Sequence, residues 1–331
     1  MYQNVIEGFL ITTIEGLIFE IKGILHPDSR RIAYLRYIPD ETGTRSRFGI
    51  KYKKITNQTQ REQYLEEKYP RYIWFHKNTG RSYQSVPHDR IRFVHDPRRY
   101  LHDLKKETKK QNETKEKALT LIDHLIKKTG VKYENLGITG SRLVLLSDTN
   151  SDIDLMVFGK KSGVRVYNGI SKLFQSKIVI PYGKTTIEDH IHFRWPFLEK
   201  YQKQLARIEC TKKLQGYFEG TEFFIRMVMY PEEVPFQFDS VFITPLGQKR
   251  IKTSIADDSK SIFTPPEYLV SDNSLGIQKI ISYRSRFCEH VKKGDFVEAY
   301  GRLEEVRYNR ERVVKRQLVL GESPHDYLLP I

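Results

Sequence analysis

Two aspartates set two residues apart at the head of an apolar run, Asp152-Ile153-Asp154-Leu155-Met156-Val157, constrain this chain more than any other feature. On a strand, residues i and i+2 point to the same side. Both carboxylates therefore share one face, while Ile153 and Leu155 enter a core. Two acids so placed repel unless something positive lies between them. The preceding segment, Leu136-Gly137-Ile138-Thr139-Gly140-Ser141-Arg142, reads as a short buried strand ending in a Gly-Ser turn, with a helix expected over Arg142–Leu146. Glycine lets backbone approach a ligand closely, and the N–H groups of such a turn, with the Ser141 hydroxyl, can cradle phosphate oxygens. The start of the expected helix adds positive potential there. A divalent cation, Mg²⁺ or Mn²⁺, answers the paired acids. Mg²⁺ binds through one or two carboxylates plus nucleotide phosphates, not in an all-protein cage. Paired metals at such a site activate an attacking hydroxyl and stabilise a departing pyrophosphate.

The rest of the 331 residues divides around this segment. Residues 1–95 read as a β-rich domain: Gly8–Thr13, Gly16–Lys22, Arg31–Ile38, Phe48–Ile55, Tyr72–His76 and Ile91–Val94 are short apolar or alternating runs, with one polar helix over Gln58–Lys68. Asp96-Pro97 is a helix start. Arg98–Lys128 then runs almost without Gly or Pro, and Ala118, Leu119, Leu121, Ile122, Leu125 and Ile126 recur at helical spacing in its second half. This leading helix, 97–129, opens an α/β domain over 96–232. Its further expected elements are a strand Asp152–Phe158, a helix Arg165–Phe174, a helical stretch Thr185–Phe218 and an apolar strand Thr221–Tyr230. Residues 233–331 return to β, with strands at Gln237–Thr244, Ile251–Ile255, Ser261–Val270, Asp295–Leu303 and Arg312–Leu320. Gly294–Glu304 has the look of the opening strand of a small OB-like barrel. The fold class is α+β.

Gly140-Ser141, then ten residues from Arg142 to Ser151, then Asp152-Ile153-Asp154-Leu155 resembles the signature of the DNA polymerase β-type nucleotidyltransferase superfamily, in the minimal form of its bacterial and archaeal members. The resemblance covers about Leu136–Tyr230. It implies a central nucleotidyltransferase domain with a short mixed sheet. Gly140, Ser141 and Arg142 would bind the nucleotide, and Asp152 and Asp154 would hold Mg²⁺ or Mn²⁺. The family also implies a third carboxylate on a later strand beside the aspartates. Here the chain departs from the pattern, because the mid-strand polar residue of Thr221–Met229 is Arg226. Glu222, at the strand edge, is the catalytic candidate; Glu209 and Asp239 are weaker ones. Arg226 either neutralises a triphosphate or the acids, or pairs structurally with Asp154 or Glu222. Lys213, in a basic stretch before that strand, is a candidate phosphate contact. His190 and His192 are two apart on a helix, do not converge, and read as a solvated face.

The chain carries 56 Lys+Arg against 41 Asp+Glu, a formal charge of +15, which favours a polyanionic partner. Arg98–Lys128 holds ten Lys/Arg and five acids. Lys279–Leu320 holds eleven and six, with Tyr283, Phe287, Phe296, Tyr300 and Tyr308 interleaved. Cations among aromatics suit single-stranded RNA or DNA. Cys210 and Cys288 form no C-x-x-C pair, which argues against a disulfide framework or thiolate zinc site. The N-terminus has no basic n-region and no apolar run approaches the ~20 residues that span a membrane. The expectation is a soluble, cytoplasmic nucleotidyltransferase that takes an NTP and a nucleic-acid acceptor. The alternative is a non-catalytic nucleic-acid binder on a degenerate transferase scaffold.

Overall fold

The structure is a computed structural model that describes residues 2–107, 113–149, 151–308 and 314–331. Those residues form a mixed α+β fold with three sheets among them. The first is built from β1 (Leu10–Thr13), β2 (Ile18–Ile21), β3 (Arg30–Pro39), β4 (Arg45–Arg47) and β5 (Ile50–Lys54), then, after α1 (Gln58–Lys68), from β6 (Ile73–His76), β7 (Arg81–Pro87) and β8 (Ile91–His95). Its main path runs β4-β5-β3-β2-β1-β8, and β7 pairs with both β3 and β6. Strand β7 is absent from the sequence expectation: Arg81–Pro87 is half polar and ends on proline, so its alternation is weak. Asn57 caps α1, its Oδ1 accepting from the Gln60 N–H at 3.1 Å.

Asp96 caps α2 (Pro97–Lys106) with its carboxylate on the Arg98 N–H at 2.8 Å. α3 (Glu113–Thr129) follows. The charged middle of the expected long helix, residues 108–112, lies outside the described residues. Next come β9 (Leu136–Ile138), α4 (Gly140–Leu143), β10 (Ile153–Phe158), α5 (Lys160–Gln175), α6 (Lys184–Arg194), α7 (Gln202–Thr211), β11 (Gln215–Phe218) and β12 (Thr221–Val228). The sheet order is β11-β12-β10-β9, with β10 and β12 parallel and in register from Ile153–Phe223 to Phe158–Val228. The expected helix at Thr185–Phe218 is two helices and an edge strand. Gly216, at φ +151°, lets β11 lie against the Ile180 carbonyl, where a side chain would collide.

The last sheet closes on itself. Strand β13 (Val241–Lys260) pairs with β14 (Glu267–Val270), which pairs with β15 (Ile277–Ser282). β15 runs parallel to β17 (Lys315–Leu320), which pairs with β16 (Phe296–Tyr308), and β16 returns to β13. β18 (Tyr327–Pro330) pairs with the first part of β16, along the edge that β17 takes farther on. The segment expected to open a barrel, Gly294–Glu304, is therefore the fourth strand of the ring. Two expected strands, Gln237–Thr244 and Ile251–Ile255, are one strand with an irregularity between Pro245 and Gln248. Of the expected strand Arg312–Leu320, residues 312–313 lie outside the described residues.

Two larger cores join these sheets, and a smaller cluster packs Leu10, Ile18, Tyr37 and Tyr52 of the first sheet on Leu143, Val144 and Leu146. One larger core runs continuously from Ile11, Phe19 and Leu35 of the first sheet through Leu155, Val157 and Ile225 to Leu121 and Val166 of the helices. The other packs Ile191, Trp195 and Leu205 of α6–α7 against Phe287, Val297 and Leu328 of the ring. His290 stands in this second core between Trp195 and Phe287. Burial pushes His290, His26 and His95 each down to about 3. These histidines fold neutral, with pKa values below the unfolded ~6.5. Their contribution is thus present above pH 6.5 and is lost as pH falls from there toward 3. Denaturant midpoints should fall steeply between pH 7 and 5, and His290→Leu should flatten that dependence. A midpoint independent of pH over that interval would refute this account.

Candidate active site

β10 enters the sheet at Ile153 and leaves Asp152 exposed at its mouth, with Asp154 one step deeper. Both acids face the first sheet. That sheet docks directly on β10: Thr139 Oγ1 donates to the Gly8 carbonyl at 2.5 Å, and a side chain at Gly8 would overlap Met156. The acids therefore lie between two sheets rather than on an open face. The cleft is lined by Asp152, Asp154, Gly140 and Ser141 from the Asp-x-Asp segment, by Arg226 from β12, and by Leu10, Glu20, Arg36, Tyr37 and Lys54 from the first sheet.

Gly140 is at φ +70° and a methyl there would overlap Asp154 Oδ2. The Thr139 N–H donates to the Asp154 carbonyl at 3.0 Å, so the Gly-Ser turn and the acid are locked together. The turn thus meets Asp154 because strand pairing demands it and because only glycine fits. The described part of the segment between turn and acids, residues 142–149 and 151, is also held. Arg142 is buried beneath it and donates to the Ser151 carbonyl at 2.7 Å and the Asp152 carbonyl at 3.2 Å. Arg45, from β4, donates to the Leu146 carbonyl and to Asp148, each at 2.9 Å. Arg142 is expected from sequence to touch nucleotide; its guanidinium instead positions the backbone that carries Asp152. Burial lowers its pKa.

Charge in the cleft is unevenly compensated. Burial, then the neighbouring Asp152, pushes the Asp154 carboxyl up to about 7. Arg226 donates to Glu7 at 2.9 Å and Glu20 at 2.7 Å, and Lys22 joins the same two acids at 3.3 and 2.7 Å. Arg36 reaches Glu20 at 3.1 Å. Burial would raise the Glu20 carboxyl, but Lys22, Arg36 and Arg226 outweigh it and hold the group well below the usual carboxylate range. Arg226 Nε is buried with no hydrogen-bond partner among the described residues. Burial, then repulsion from Arg36 and Arg45, lowers the pKa of Lys54. The cleft thus holds acids short of a cation beside bases short of an anion. That pattern fits a divalent cation carried on phosphate oxygens. Among the described residues no group of three or more His, Cys, Asp and Glu could by itself hold a metal. Two carboxylates with phosphate and water completing the shell is the usual arrangement for Mg²⁺. At about 90 Å³ the cleft is far below the ~300–1,000 Å³ of pockets that enclose a whole ligand. It can take phosphate and ion, leaving a nucleoside outside.

Two sequence candidates do not reach the cleft. Lys213 lies over the Tyr167 ring at 5.0 Å, and its backbone N–H is tied to Glu289. Glu222 continues the β10–β12 register next to Asp152, yet its carboxylate turns to Tyr182, whose hydroxyl donates to it, and to His190 Nδ1 at 3.7 Å. The His190 imidazole beside it is the main cause holding the Glu222 pKa below its ordinary value. His190 is not on a solvated face: it is buried, with Glu209 Oε2 at 3.1 Å from Nε2. Burial would lower its pKa, but Glu209 and Glu222 outweigh it and raise it. Glu209 itself is sealed under Lys212 and His190, and Asp239 lies near His76 in the first sheet. Glu20, Arg36, Tyr37 and Lys54 are missing from the sequence reading. One signal for Glu20 is present, a lone acid inside the buried run Ile18-Phe19-Glu20-Ile21.

No protein-family model and no solved structure matches this chain. It is similar to an uncharacterized protein of Methanocaldococcus jannaschii, 24% identical over an alignment of 338 positions that covers 96% of each chain. That likeness runs nearly end to end and so takes in all three sheets, not the aspartate segment alone. No helix among the described residues is long and apolar enough to cross a membrane.

Proposed function

We propose that the chain is a metal-dependent nucleotidyltransferase that moves a nucleotidyl group from an NTP to an acceptor hydroxyl on nucleic acid. The observation that carries this reading is the locked pair of Gly140 and Asp154, with Asp152 beside them, in a cleft that Arg36, Lys54 and Arg226 also line. In this reading Gly140 and Ser141 receive the β- and γ-phosphates, and Arg36, Lys54 and Arg226 neutralise the charge that builds on the leaving pyrophosphate. Asp152 and Asp154 would hold Mg²⁺ or Mn²⁺, which when bound would lower the charge on the phosphates and favour ionisation of the acceptor hydroxyl. Catalysis here is positioning and charge neutralisation, as in other phosphoryl transfers. Glu222 lies nearest by register to the mouth at Asp152. A rotation away from Tyr182 would make it available to orient the acceptor. The clamp of Arg142 and Arg45 on the loop fixes the aspartates before substrate arrives.

The C-terminal ring supports a nucleic-acid acceptor. Its order, β13-β14-β15-β17-β16 and back to β13, with the third and fifth strands parallel, is OB-like connectivity. OB barrels bind oligonucleotides on their second and third strands. Here Leu269, Lys279 and Ile281 of those strands, with Tyr283 beyond, line a groove of about 1680 Å³ whose opposite wall includes Tyr34 and Tyr83 of the first sheet. Tyr283 is exposed, as single-strand stacking needs, whereas Phe287 is in the core. The non-catalytic alternative draws on one observation, that Arg226 stands where a third acid belongs and Glu222 is turned away.

The test is label transfer. Protein with Mg²⁺ or Mn²⁺ and each α-labelled NTP is offered total RNA, single-stranded DNA or no acceptor. The transferase reading expects label on an acceptor from wild type and at least a thousandfold loss in Asp152→Ala/Asp154→Ala. No label from any combination, with both proteins binding nucleic acid alike, would establish the binder instead.

A further inference from the structure

The hairpin β4–β5 was given no role by the sequence, yet its composition is unlike the rest of the surface. Residues 45–54, Arg-Ser-Arg-Phe-Gly-Ile-Lys-Tyr-Lys-Lys, hold five cations and no acid. Phe48 at its tip is 79% exposed and Ile50 is 50% exposed. The Arg47 guanidinium lies over the Phe48 ring at 5.0 Å. Arg47, Lys53 and Lys54 have no ion-pair partner among the described residues, and Lys51 reaches only the Glu41 carbonyl at 3.3 Å. One end of the hairpin is part of the site, since Lys54 lines the aspartate cleft and Arg45 grips the loop before Asp152. β4 is the edge of its sheet. Lysines on an edge can simply discourage strand pairing. Protection of that kind would not display a phenylalanine and an isoleucine at the tip.

Resting on the transferase reading, we propose that this hairpin is the docking element for the reactive end of a single-stranded nucleic-acid acceptor. Arg47, Lys51 and Lys53 contact its phosphates and Phe48 stacks on an unpaired base. By strand register Arg45, Arg47 and Lys54 lie on the face turned to the cleft and Lys51 and Lys53 on the opposite face. A chain passing over this edge hairpin therefore meets cations on both sides of the exposed Phe48, which matches the chemistry of a single strand: repeating phosphates alternating with planar bases. The cleft is too small for a nucleoside, so the acceptor end has to be held outside it, and the hairpin is the basic element at its rim.

The experiment separates binding from chemistry by using the full chain with Asp152→Asn/Asp154→Asn. Anisotropy of labelled 20-nucleotide RNA, DNA and the corresponding duplexes is titrated at several salt concentrations. Arg47→Ser/Lys51→Ser/Lys53→Ser should weaken single-strand binding at least tenfold. It should also make the log–log salt slope shallower by about 2, since each phosphate contact on a single strand contributes about 0.7. Phe48→Ala should weaken binding about fivefold and leave the slope unchanged. Lys127→Ser/Lys128→Ser/Lys132→Ser, equal in charge but on α3 and the turn after it, is the control. Equal loss from the two triple variants, unchanged affinity in the hairpin triple, duplex preferred over single strand, or no binding by the parent would each overturn the proposal. RNA against DNA identifies the acceptor's sugar. Failure of label transfer with hairpin-dependent binding intact would remove the transferase reading and leave the docking element standing.

Discussion

Gly140→Ala is expected to abolish label transfer and any nucleotide-dependent rise in melting temperature, and to cost about 1–3 kcal/mol of stability. Two effects combine. A non-glycine residue at φ +70° carries the left-handed penalty, about 1–2 kcal/mol. The added methyl also overlaps Asp154 Oδ2, so the acid, the turn or the strand has to move. The sheet resists, because Asp154 is paired with Phe224 on one side and its carbonyl takes the Thr139 N–H on the other. The two effects can be separated. Gly276 has φ +63° and open space where a side chain would go, so Gly276→Ala reports the backbone penalty alone. Gly140→Ala/Asp154→Ala removes the overlap and should recover the steric share of the stability loss but none of the activity. Melting temperature and label transfer on these variants decide the matter. If Gly140→Ala is no worse than Gly276→Ala and still transfers label, the close approach of turn and acid has no bearing on function.

The central site is legible in sequence to the extent that its residues are local. Gly140, Asp152 and Asp154 meet because one strand pair, β9 with β10, brings them together, and period-2 alternation fixes which side the acids face. The same reasoning places Arg226 on the neighbouring strand. It fails where the partner comes from far away. Glu20, Arg36 and Lys54 precede Asp152 by about a hundred residues, and only the docking of the first sheet on Met156 brings them to the cleft. Chain periodicity carries no information about docking between sheets. His190 fails for a related reason: its helix face is covered by α7 and β12, and two carboxylates wait there. Lys213 fails because basic residues before a strand are ambiguous until the neighbouring element is known, here the loop that holds Glu289. Four strands of the ring, β13, β14, β16 and β17, were legible from their apolar runs, whereas β15, Ile277–Ser282, was not. The closure of the ring was not legible either, because pairing of β13 with β16 joins residues about 50 apart.

Arg226→Met is expected to produce the largest stability loss of any single substitution in the cleft, about 3–5 kcal/mol, the range for breaking a buried ion pair from one side. Arg226 ties the central sheet to the first, since its partners Glu7 and Glu20 lie on the first-sheet side and their side chains are 3% and 9% exposed. Lys22 still reaches both acids and Arg36 still reaches Glu20, so the loss should fall near the lower end. The sign of the pH dependence follows from Glu20, whose folded pKa lies well below its unfolded value. That contribution is fully present above about pH 4.5 and is lost as pH falls through the folded pKa. Without Arg226 the folded pKa of Glu20 rises. The stability gap between wild type and variant should therefore be widest near pH 7 and narrow below pH 4. A cycle with Glu20→Gln isolates the pair, with a coupling energy of about 1–3 kcal/mol expected. Arg226→Lys separates this structural role from a phosphate-binding one. A lysine keeps a positive charge for the acids and should recover part of the stability, but it lacks the second edge of the guanidinium, where Nε is left over for a ligand oxygen. If Arg226→Lys folds as well as wild type and binds NTP as tightly, Arg226 is a strut between sheets and nothing more. If it folds and loses NTP, the residue standing in place of the third acid is the one that holds the phosphate.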